Sequence, residues 1–199
     1  MKELFIGGAE KGEIILLDYD SVWPEKFQKH VGILSRALGT EALSIEHVGS
    51  TSVPGLAAKP IIDVLVVVKD SAQEDSYLPA LVRAGYVLRV REPAWYQHRM
   101  FRTPERDVHV HIFSAGCVEI RRMLAFRDRL RSNAEDRFLY ESMKRKLARE
   151  DWPDMNAYAQ AKSGVVEQII ARALQEAGNV SSGLRPTKSV PGIETETRG

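Results

Sequence analysis

The chain is poor in several things that would have pointed elsewhere. It has a single cysteine, Cys117, which excludes an internal disulfide framework and any zinc site built from CxxC pairs. Such cysteine usage fits a reducing compartment, so a cytoplasmic location is expected. No stretch approaches the about 18 consecutive apolar residues of a membrane span. The opening MKELFIGGAEKGEIILLDYD has no uninterrupted apolar core of the signal-peptide kind, and no membrane partner is expected. Excess charge of one sign is also lacking. With 28 Lys and Arg against 27 Asp and Glu the formal net charge is +1, which argues against a strongly basic nucleic-acid binder. No internal repeat is visible. The 199 residues suffice for one domain with a sizeable core.

The densest apolar stretch runs from Ile45 to Val68, IEHVGSTSVPGLAAKPIIDVLVVV. Leu43 to Val48 has strand composition, Gly49-Ser50-Thr51-Ser52 is a turn, and Ile61 to Val68 is a return strand apolar enough to be buried on both faces. Ahead of this unit, Glu13 to Leu17 reads as a short strand. A helix follows from an N-cap at Asp20 or Ser21 to Leu38, with Phe27, Val31, Leu34 and Leu38 on one face and Gly39 as its stop. After the unit, Ser76 to Ala84 reads as a helix with Leu78, Leu81 and Val82 inward. Tyr86–Val90, Trp95–Arg102 and Asp107–Phe113 read as strands, with Thr103 to Arg106 a turn. Beyond Gly116 the periodicity is helical, over Val118–Arg131, Ala134–Arg149 and Pro153–Ala177. The expected organisation is one domain over residues 1–177, helical from about 117, and a disordered tail over 178–199 that lacks an apolar period.

Asp63 is the lone carboxylate in its apolar run, costly unless it is paired, hydrogen-bonded or holding a cation. A turn-capping role through backbone N–H groups is the structural alternative. Gly49 lets the backbone approach a ligand closely, and the N–H groups and hydroxyls of Ser50, Thr51 and Ser52 suit a phosphate. Lys59 adds a positive charge nearby. In Asp107 to Phe113, period 2 puts Val108, Val110 and Ile112 on one face and His109, His111 and Phe113 on the other, so both imidazoles can reach one ion. Asp107 shares their facing, and Glu46 and His47 lie on the approach strand. A two-metal site needs a second acid two residues after the first, and that position is Leu65. Of the many arginines, Arg102 and Arg127 are the candidates to meet an anion.

The run EHVGSTSVPGLAAKPIIDVLV resembles the signature of the GrpB family, whose members are similar to the nucleotidyltransferase superfamily. YDSVWPEKF, LVRAGYVLR, VHVHIF and RRMLAFRDRLRSN resemble its other blocks, so the likeness covers about Asp18 to Ala173. It implies an α/β (α+β) fold, a nucleotidyltransferase-like mixed sheet flanked by helices. Carried over, Gly49 and Ser50 match the phosphate-binding turn and Asp63 the first metal-binding acid, while Leu65 departs from the second. Some relatives resemble domains fused to a dephospho-coenzyme A kinase.

Together these readings predict binding of a nucleoside triphosphate with magnesium or another divalent cation, and transfer of a nucleotidyl group to an unknown small acceptor. Asp63, His109 and His111 are the catalytic candidates, with Glu46 and Asp107 as further metal ligands beside Asp63. Gly49, Ser50, Thr51, Lys59, Arg102 and Arg127 are the phosphate-binding candidates. The alternatives are a non-catalytic nucleotide-binding or sensing module that has lost an acid, and a zinc-dependent hydrolase built on His109 and His111.

Overall fold

The computed structural model describes Ile6, Gly8 and residues 13–182. The sheet has five strands, β1 (Ser44–Val48), β2 (Ile62–Val68), β3 (Val87–Glu92), β4 (His98–Arg102) and β5 (Val108–Ser114), in the order β1-β2-β5-β4-β3. Only the central pair β2 and β5 is parallel; every other neighbour is antiparallel. β2 therefore has a strand on each side and helices above and below, which is why it is so apolar.

Period 2 sorts the two faces. Ile62, Val64, Val66, Val108, Val110 and Ile112 pack with Trp23, Phe27, Leu34 and Leu38 of helix α1 (Val22–Leu38) and with Leu81 of α2 (Leu78–Arg83). The opposite face carries Val48, Leu65, Val67 and Phe113, covered by Ile120, Met123 and Leu124 of α3 (Val118–Ser132). Full burial of one such side chain is worth about 1.5–3 kcal/mol, so the register that keeps all of them inward is strongly fixed. Helices α3, α4 (Ala134–Leu147) and α6 (Ser163–Ser182) meet the loop after β1 in a second cluster of Val53, Leu56, Leu130, Tyr140 and Ile169. The architecture is the expected mixed α+β sheet flanked by helices, with a helical C-terminal part.

Local expectations need four corrections. Glu13 to Leu17 forms no strand: Leu17 makes one antiparallel bridge to Ala58, which lies in a loop and gives no ladder to extend. Val82 is exposed, because the six-residue α2 presents Leu81 instead. β4 begins only at His98, since Tyr96 and Gln97 take left-handed backbone. The helix expected over Pro153–Ala177 is two, α5 (Met155–Ala161) and α6, with Lys162 between them. α6 runs on to Ser182; the rest of the expected tail, 183–199, lies outside the described residues.

Candidate cation and phosphate site

The turn and the acid meet at Gly49. β1 ends at Val48, paired with Asp63. Gly49 then takes φ 68 and ψ −175, a backbone region essentially confined to glycine, and opens a single 3-10 turn over Ser50–Ser52. A Cβ at Gly49 would lie 2.2 Å from Asp63 Oδ2. Only a residue without a side chain lets this turn close over the carboxylate.

Parallel pairing places His109 beside Asp63 and His111 beside Leu65 on the same sheet face. Asp63 Oδ1 lies 3.5 Å from His109 Nδ1 and 3.5 Å from His111 Nε2. One donor atom from each of the three residues lies within 4.8 Å of the others. Burial alone would push the Asp63 carboxyl up; imidazoles that carry protons toward it outweigh burial and hold it well below the usual carboxylate range. His111 is held from behind. Its Nδ1 is 3.1 Å from His98 Nε2, and His98 Nδ1 is 2.6 Å from Glu92 Oε2. His98 is buried and stacks on both His111 and Phe113.

A cleft of about 480 Å³ opens over this cluster. Gly49, Ser50, Asp63, His109 and His111 line it from the sheet, and Lys59, Lys144, Lys162 and Tyr158 line it from the loop and helices. Lys144 on α4 is 2% exposed. Its Nζ donates to Ser50 Oγ at 3.2 Å and to the Ala57 carbonyl, and sits 4.8 Å from the centre of the Tyr140 ring. Burial, reinforced by the charge of Lys162, lowers the Lys144 ammonium to about 7. Burial and Lys162 also lower Lys59, against the pull of Asp63. The Tyr158 hydroxyl is buried with no hydrogen-bond partner among the described residues, and burial raises it to about 12.

The other sequence candidates are placed elsewhere. Glu46 pairs with Arg127 Nη1 at 2.9 Å, and that nitrogen also donates to the His47 carbonyl, so these two engage each other rather than the cluster. Asp107 accepts a 2.7 Å hydrogen bond from Thr103 Oγ1 at the foot of β5 and is not among the clustered donors. The Thr51 hydroxyl is engaged by the Ile61 carbonyl at 3.0 Å and by His47 Nε2 at 3.2 Å, an internal role. Arg102 stands opposite His109 on β4 but does not line the cleft. Leu65 is fully buried. The sequence reading missed Lys144, Lys162, Tyr158, His98 and Glu92. Lys144 sits in the basic run KRK near the end of α4, where nothing local marks it as the one turned inward.

The family profile described as "GrpB protein" matches residues 13–172. A UPF0157 protein of Halalkalibacterium halodurans is 50% identical over 87% of this chain and 90% of its own. The crystal structure of the conserved protein GrpB from Enterococcus faecalis superposes with a TM-score of 0.74 at 35% identity, covering 82% of this chain and 99% of that one. A dephospho-CoA kinase of Mycolicibacterium paratuberculosis is 28% identical over 88% of this chain and 49% of its own length.

Proposed function

The chain belongs to the GrpB family, and on that footing we propose that its cleft binds a nucleoside triphosphate beside a divalent cation and passes a nucleotidyl group to a small acceptor. The observation that carries this reading is one cleft that joins three lysines, the Gly49–Ser50 turn and the Asp63–His109–His111 donors. A buried lysine whose charge is disfavoured until an anion arrives suits a polyphosphate. So does the unpartnered Tyr158 hydroxyl. Gly49 lets the turn that carries Ser50 close over the Asp63 carboxylate, so the hydroxyl and the acid line the same cleft. Asp63, His109 and His111 would hold the cation, which when bound polarises a phosphoryl oxygen and offsets negative charge. Lys59, Lys144 and Lys162 would neutralise the rest of the polyphosphate.

Titration calorimetry with several nucleoside triphosphates, with and without divalent cations, tests this. Cation-dependent binding that Asp63→Asn weakens at least tenfold is expected. Equal affinity in wild type and variant, or no binding of any nucleotide, would reject the reading.

A second reading, a non-catalytic nucleotide-binding or sensing module, is favoured by Leu65. That residue is fully buried among Val48, Val67 and Phe113, where a second metal-binding acid would stand. Release of pyrophosphate from bound nucleotide separates the two. A transferase releases it when an acceptor is supplied, and a sensor does not.

A further inference from the structure

Building on the reading that a cation sits beside the lysines, we infer that this chain selects a zinc-class ion, a late first-row divalent cation, through Asp63, His109 and His111, rather than magnesium. Glu92 and His98 are positioning residues that hold His111 in its ligand form. The inference rests first on the donor set. Magnesium takes an octahedron of oxygens, mostly water and carboxylate. Here one carboxylate faces two imidazoles, and the place of a second carboxylate is taken by buried Leu65. Two nitrogens and one oxygen suit zinc and its neighbours in the first row. Magnesium chemistry therefore does not fit these residues.

Spacing supports the same ion. At 3.5 Å, the contacts from Asp63 Oδ1 to the two ring nitrogens are too long for good hydrogen bonds. Ligands about 2.0–2.1 Å from a tetrahedral zinc stand about 3.3–3.4 Å apart. The gaps on either side of Asp63 Oδ1 thus match the edges of such a tetrahedron. Three protein ligands leave a fourth position for water or a phosphate oxygen, as catalytic sites do and closed structural sites do not.

With neutral rings, the relay behind His111 assigns which of its nitrogens carries a proton. Glu92 accepts from His98 Nδ1–H across 2.6 Å. His98 Nε2 is then the acceptor for His111 Nδ1–H at 3.1 Å. That leaves His111 Nε2 bare, its lone pair aimed at the Asp63 carboxylate. Two lone pairs facing one another repel, and a cation between them turns the repulsion into two coordinate bonds. A histidine ligand whose far nitrogen donates to an outer partner is the usual arrangement at zinc, and loss of that partner costs about 10–100-fold in affinity.

The test uses full-length protein stripped of metal with a chelator and titrated with Zn2+, Co2+ or Mg2+ at fixed ionic strength. One Zn2+ per chain is expected, bound at least 1000-fold more tightly than Mg2+, with His109→Ala and His111→Ala each losing at least 100-fold. Co2+ is expected to give the intense visible d–d absorption of a four-coordinate site. His98→Phe keeps the ring stack while removing the relay. It should weaken Zn2+ about tenfold or more and alter the Co2+ spectrum with the fold intact by circular dichroism, which a purely packing role would not do. Mg2+ binding within tenfold of Zn2+, or wild-type Zn2+ affinity in both histidine-to-alanine variants, would overturn the inference. Wild-type zinc affinity and cobalt spectrum in His98→Phe would remove the positioning role. Tight Zn2+ binding with no triphosphate binding keeps the ion and rejects the nucleotide reading. Triphosphate binding supported by Mg2+ and not by Zn2+ does the reverse.

Discussion

At the scale of single residues, the site depends on one missing side chain. Gly49 holds a backbone conformation that costs other residues about 1–3 kcal/mol. Its absent Cβ would overlap the Asp63 carboxylate at 2.2 Å and the Asp63 Cβ at 2.9 Å. Gly49→Ala should lower stability by about 2–4 kcal/mol in urea denaturation, adding a steric conflict to the backbone strain. It should also abolish cation binding, because Asp63 must turn away. Gly49→Ala combined with Asp63→Gly should recover the steric part and keep the backbone penalty. Full recovery in the double variant would show that the φ of 68 carries no strain. A Gly49→Ala variant as stable as wild type would contradict the close approach itself.

Among whole elements, the helical layer is tied to the site through one buried acid. Asp136 on α4 is 5% exposed. It accepts from Arg129 of α3 at 2.6 Å and from Arg172 of α6 at 2.5 Å. Because α4 also delivers Lys144, loosening this three-helix joint should be felt in the cleft. Removing one partner of a buried ion pair costs about 3–5 kcal/mol. Asp136→Ala should therefore lower the unfolding free energy measured in urea by that order and raise amide hydrogen exchange in α3, α4 and α6 before the sheet. Exchange that rises equally in the sheet would show the joint to be global rather than local. The elements also show what a sequence can tell. β2 was legible because burial on both faces leaves a run with no polar alternation, and one acid in it stands out. β5 was legible because alternation put both histidines opposite Val108, Val110 and Ile112. Glu13 to Leu17 misled, since strand composition does not supply a neighbouring ladder. The relay was not legible: His98 meets Glu92 only because β3 and β4 pair in that register, and meets His111 only across β4 and β5. Lys144 is buried by the packing of α4 over the Ala57 loop, which no helical period records.

For the molecule as a whole, the buried titratable groups predict an unusual pH profile. His47, stacked on Phe27, is lowered by burial and by Arg131 and Arg127 to about 4. It stays neutral in the fold while the unfolded chain protonates near 6.5, so stability is lost as pH falls from about 6.5 toward 4. Burial lowers His30 and His98 with the same sign. Lys144 titrates at about 7 in the fold and near 10.5 unfolded, so stability rises across that interval as the unfolded chain binds the extra proton. Lys59 adds to the rise. Burial raises Tyr86 and Tyr158 to about 12 and Tyr77 further, so stability falls once the unfolded phenols ionise above about 10. The maximum is expected near pH 9–10, above the pH 5–8 usual for proteins. Urea midpoints at pH 5, 7, 9 and 11 check this, with the highest at pH 9; a decline from pH 7 to 9 would contradict the charge-disfavouring burial of Lys144. Lys144→Met leaves the Ala57 carbonyl without its donor at every pH, so only the slope is diagnostic. Relative to wild type it should lose about 3–5 kcal/mol between pH 6 and 10. Saturating triphosphate should flatten the same rise in the wild type, because an anion beside Lys144 restores its proton. An anion that stabilises the protein equally at pH 7 and pH 9.5 would have to bind away from this lysine.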